Sequence, residues 1–153
     1  KNVKKSYFTG KSQFVLKKIR GGMMKILVGY KGTNVGKDLM DIAVKHAKAF
    51  NGMIYIVTSL IGGDKTDQQE IIDAEKNLEK AKTYFDDLGI KNENHLLIRG
   101  FEPGEDIVNF ARENKIDEIM IGVRSRSKVG KLIFGSTAQA VILGAHCPVM
   151  TVK

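Results

Sequence analysis

Residues 117–152 read DEIMIGVRSRSKVGKLIFGSTAQAVILGAHCPVMTV, and this stretch decides the fold. Asp117 to Val123 is a short apolar run that reads as a strand. A basic, glycine-containing loop follows, and a helix is predicted from Ser136 to about Gly144 before Pro148 to Val152 returns as a last strand. A strand, a helical crossover and a second strand form a βαβ unit, whose right-handed connection makes the two strands parallel.

The same alternation runs back along the chain to Met24. Lys25 to Gly29 is a first strand, and Thr33 or Asn34 caps a helix whose Leu39, Ala43, Ala47 and Phe50 follow helical spacing until Asn51-Gly52 ends it. Met53 to Ser59 is continuously apolar almost to its end, as a strand buried on both faces requires. After the Gly62-Gly63 loop, Ile71, Ala74, Leu78, Ala81, Phe85 and Leu88 recur at three and four residues, with Asp67 and Glu70 as a capping box and Gly89 as a stop. That stripe is too short for a coiled coil and lies between strands, so it is read as packing on a sheet. His95 to Gly100 is predicted as the third strand, and Pro103 opens a helix through Asn114 with Ile107, Val108 and Ala111 inward. Five parallel strands with helices on both faces give a doubly wound α/β fold.

The net charge of +8 suggests a nucleic-acid partner until it is divided along the chain. Residues 1–22 hold seven basic residues and no acid, leaving 18 basic against 17 acidic residues in the domain at 23–153. The domain is therefore nearly neutral, and a nucleic-acid partner is not expected for it. The first 22 residues are set apart as a basic leader or extension, of non-native origin or a native arm, ending at Gly21-Gly22 before Met23-Met24. No apolar run approaches the roughly 20 residues of a membrane span. With the single Cys147 unable to form an internal disulfide, a cytoplasmic location is expected.

In a doubly wound sheet the ligand lies beyond the carboxyl ends of the strands. The loop from Gly122 to Thr137 combines glycines with Arg124, Arg126, Lys128 and Lys131, has no acid, and ends in the Gly135-Ser136-Thr137 helix start. Free amides at a helix start, the positive end of its dipole and two hydroxyls together favour a phosphate. The bland alternative is a capped helix beside a solvated basic face. Gly36-Lys37 is not a phosphate-binding P-loop, because Lys31 stands at the required upstream glycine and Asp38 at the Ser or Thr. A phosphoacceptor site needs aspartates where the chain has Tyr30, Lys31, Arg99 and Gly100. His46, His95 and His146 lack metal-ligand spacing, Cys147 reads as core, and no nucleophile with a base assembles locally, so no efficient enzyme and no metal site is expected.

The loop resembles the nucleotide signature of the universal stress protein family: glycine, two residues, glycine, nine residues, glycine, then Ser or Thr. Gly122, Gly135 and Ser136 fall on it, while Ser125 replaces the second glycine. The similarity extends through Ile26-Leu27-Val28 and through Ala145 to Val149 into the final strand. The resemblance implies strand order 3-2-1-4-5 and a homodimer through the C-terminal strand. It also implies a stress-response regulator that binds ATP or AMP, with Mg if ATP is bound, and hydrolyses slowly at most. Carried over by position, the nucleotide contacts are Gly29, Tyr30, Lys31, Ser59, Gly122, Ser125, Gly135, Ser136 and Thr137. Relatives that bind nucleotide usually place an aspartate for the ribose hydroxyls where this chain has Lys31, and an ammonium only donates. Lys31 either pairs with a phosphate or fills the pocket; in the second case the chain is a dimeric interaction module that has lost nucleotide binding, with protein partners that the sequence does not identify.

Overall fold

The computed structural model describes residues 22–32, 35–123 and 134–153. The leader at 1–21, the capping position at 33–34 and the basic loop with Ser125 lie outside the described residues. Five strands form one parallel sheet: β1 (Met24–Gly29), β2 (Gly52–Leu60), β3 (Asn92–Ile98), β4 (Glu118–Gly122) and β5 (Val149–Val152). Their order across the sheet is β3-β2-β1-β4-β5. Four helices connect them: α1 (Val35–Ala49), α2 (Gln68–Asp87), α3 (Pro103–Glu113) and α4 (Ser136–Gly144).

The centre of the sheet is apolar at successive positions because both of its faces are covered. On β1, Ile26 and Val28 pack with Leu39, Ala43, Leu78 and Phe85 from α1 and α2. Leu27 points the other way, into Ile107, Ala111, Ala138 and Val141 from α3 and α4. The sheet thus has α1 and α2 on one face and α3 and α4 on the other. The α2 stripe buries Ala74, Leu78, Ala81 and Phe85 against the sheet, whereas Leu88, one residue past the helix, is exposed. Asp67 Oδ1 accepts from the Glu70 amide at 2.7 Å, and Gly89 takes φ +67° beyond the helix, where the left-handed turn suits glycine.

The third strand departs from expectation at both ends, spanning Asn92–Ile98 and not His95 to Gly100. Asn92, Glu93 and Asn94 look like loop residues, yet they pair with Ile54, Tyr55 and Ile56. At the edge of the sheet their side chains are only half-buried, so no apolar pattern is demanded of them. At the other end Gly100, at φ +81°, donates its amide to Ile61 O at 2.9 Å and turns the chain out of the sheet. Cys147 is buried in the α3/α4 core. His46 has a structural role, its Nδ1 lying 3.0 Å from Glu118 Oε2, and His95 stacks on Tyr55 with ring centroids 6.0 Å apart. No helix among the described residues is long and apolar enough to cross a membrane.

Candidate functional site: a cleft between β1 and β4

From β1 the chain crosses to β2 on one side, and it later returns with β4 on the other. The connections therefore diverge above the carboxyl ends of β1 and β4 and leave a crevice there. It is a cleft of about 570 Å³, within the size range of small-ligand sites. Gly29, Val57 and Ile121 line it from three adjacent strands. Tyr30, Gly36 and Leu39 come from the β1–α1 side, Pro103 and Ile107 from the start of α3, and Phe134 precedes α4.

The sequence-selected positions Gly29, Tyr30, Lys31, Ser59, Gly122, Gly135, Ser136 and Thr137 all line this one cleft. Ser125 lies outside the described residues. Gly135 is the N-cap of α4 and caps it with no side chain, and the first turn contains no acid. The opening amides of α4 therefore keep the positive end of the helix dipole unneutralised at the cleft. The Ser136 side chain is exposed there and that of Thr137 half-buried.

The opposite wall is set by backbone fit. A Cβ on Gly36 would lie 2.6 Å from Tyr30 Cε2, so only glycine lets the Tyr30 ring fold back over α1. Burial pushes the Tyr30 phenol above its ordinary pKa, which keeps it neutral. Thr58 Oγ1 donates to Tyr30 O at 2.5 Å and the Tyr30 amide donates to Val57 O at 2.9 Å, fixing the end of β1 to β2.

Ser59 plays a part the sequence does not reveal. Its hydroxyl donates to Asp106 Oδ2 at 2.8 Å, while Asp106 Oδ1 accepts from Arg99 Nε at 2.6 Å. Asp106 is fully buried in the first turn of α3, where the helix dipole and the Arg99 guanidinium compensate its charge. Arg99 Nη1 also donates to Glu113 Oε2 at 2.8 Å, and this bond, followed by the pair with Asp106, raises the guanidinium pKa further. Ser59 thus anchors the cleft floor to α3. Gly36, Thr58, Pro103 and Phe134 are lining residues that the sequence reading did not select. The rule that ligands sit beyond strand ends covers Pro103 and Phe134, which follow the third and fourth strands; Thr58 lies inside β2, and the sequence offers Gly36 only within the rejected P-loop match.

Parallel order, two-sided helices and a crevice at the point of divergence define a doubly wound α/β protein with a small-ligand cleft. The chain belongs to the universal stress protein family, whose model matches residues 23–153. It is 29% identical over 140 residues to a universal stress protein of Methanocaldococcus jannaschii, an overlap spanning 84% of this chain and 81% of that protein. The solved structure of a universal stress protein from Archaeoglobus fulgidus is similar with a TM-score of 0.78 at 40% identity, covering 86% of this chain and 98% of that one. A universal stress protein from the same organism in complex with dAMP has a TM-score of 0.73 at 35% identity and the same coverage of both chains, 86% and 98%.

Proposed function

We propose that this protein is a nucleotide-binding regulator that takes AMP or ATP, the latter with Mg, in the cleft between β1 and β4. The observation that carries the reading is the meeting of Gly29 to Lys31, Gly122 and Gly135 to Thr137 around one cleft at the uncapped start of α4. The α4 amides and the Ser136 and Thr137 hydroxyls receive the phosphate, and the apolar surface of Leu39, Val57 and Ile107 receives the base. The dAMP complex of the 35% identical relative supports an adenine nucleotide. Among the described lining residues none is a carboxylate or histidine poised as a general base, which favours binding over turnover.

Regulation follows from ligand binding in the cleft, which alters the surface offered to protein partners in the cytoplasm. The protein acts as a homodimer through β5, which pairs only with β4 among the described strands. Leu143 on α4, 77% exposed, adds apolar surface to the molecule.

Calorimetric titration of AMP and of MgATP into the full chain tests the binding. An affinity on the order of micromolar is expected for at least one of them. Ser136→Asp places a carboxylate in the first turn, where it suits the helix but repels phosphate, so affinity falls by about tenfold or more. Absence of heat, with no rise in melting temperature at millimolar nucleotide, contradicts the reading.

A further inference from the structure

Lys31 is the one charged side chain among the described residues that line the cleft. It is exposed, and among the described residues it makes no hydrogen bond or ion pair. No described carboxylate lines the main cleft to neutralise it. Resting on the nucleotide reading above, we infer that the ligand carries two separate anionic groups, one at the start of α4 and the second at Lys31.

The fold holds these two points apart. The start of α4 lies on the α3 face of the sheet, where Gly104 of α3 approaches Thr137. Lys31 lies towards the α2 face, because it also lines an adjoining pocket of about 130 Å³ with Thr58, Leu60, Glu70, Asp73 and Asn77. The following Gly32 takes φ +68° with its backbone against Asn77, where a Cβ would meet Nδ2 at 2.4 Å. This turn fixes the Lys31 backbone at the rim between the two cavities. Glu70 and Asp73 form no ion pair with Lys31, and their charge keeps an anion out of the side pocket and on the rim.

A ligand that spans both points crosses the end of β1. In the pose proposed above, with the 5′-phosphate on α4 and the base against Leu39 and Val57, the ribose crosses the end of β1 and is the part of the ligand that faces Lys31. An ammonium donates hydrogen bonds and accepts none, so it recognises a phosphoryl group better than a free diol. The ligand class is an adenosine bisphosphate, phosphorylated at the 5′ position and again at the 2′ or 3′ position.

Titration of AMP, adenosine 3′,5′-bisphosphate and adenosine 2′,5′-bisphosphate into the full chain, with Lys31→Ala and Lys31→Arg alongside, tests this. The parent is expected to bind one of the bisphosphates about tenfold more tightly than AMP, the scale of one charge-assisted hydrogen bond. In Lys31→Ala that preference collapses to about threefold or less, and Lys31→Arg retains most of it. Because Lys31 is exposed, melting temperatures of the variants stay with the parent and separate recognition from folding. Equal parental affinity for AMP and both bisphosphates, or a preference that survives Lys31→Ala, overturns the second anion point and leaves the nucleotide reading standing. Failure of all three nucleotides to bind overturns both.

Discussion

Gly104, in the first turn of α3, sets how closely the start of α4 can approach. A Cβ there would meet Ala140 Cβ at 2.6 Å, Thr137 O at 2.8 Å and Thr137 Cα at 3.1 Å. Those atoms belong mainly to backbone and cannot swing aside as a flexible side chain would. Gly104→Ala therefore separates α3 from α4, and overpacking outweighs the gain in helix propensity to leave a net loss of about 1 to 2 kcal/mol. Denaturant melts measure the loss, and an unchanged or higher midpoint contradicts it. The residues on the α4 side of the cleft were legible because a helix start is a local signal: Gly135, Ser136 and Thr137 stand together, at a fixed distance from Gly122. Gly104, Gly36 and Asp106 were not legible as site supports. Their roles come from elements distant in the chain, respectively α4, the Tyr30 ring and Ser59.

Among the elements, α1 and α2 are tied over their shared core by a polar contact, the hydrogen bond from the Tyr84 hydroxyl to Asp41 Oδ1. Burial, with that bond adding to it, pushes the Tyr84 pKa up from 10.0 to about 12. The unfolded chain releases this proton first, so the contribution is fully present below about pH 10 and is lost as pH rises through about 12. Tyr84→Phe removes the linkage, and melts between those limits are expected to show a shallower loss of stability in the variant than in the parent. Equal slopes contradict the assignment. The same scale shows why α2 could be read from its stripe and β3 could not be bounded. A long helix on a sheet must repeat its apolar contacts at every turn, whereas an edge strand tolerates Asn92, Glu93 and Asn94 wherever its backbone pairs.

Across the whole molecule, alternating β1 side chains feed two cores, and the divergence of connections between β1 and β4 leaves the cleft open to a ligand. Periodicity reached the count of strands and their parallel direction. Strand order is a non-local property, and only the resemblance carried by Gly122, Gly135 and Ser136 led to it before the structure did. In the proposed complex a nucleotide phosphate sits on the first turn of α4 while its nucleoside crosses the ends of β1 and β2. Backbone amide shifts of the labelled full chain, followed by NMR as AMP is added, test it most directly. The largest changes are expected at Ser136, Thr137 and Ala138, accompanied by Gly29, Tyr30 and Thr58. Changes concentrated on β5, the exposed face of α2 or the amino ends of the strands, or no changes at saturating AMP, would contradict it.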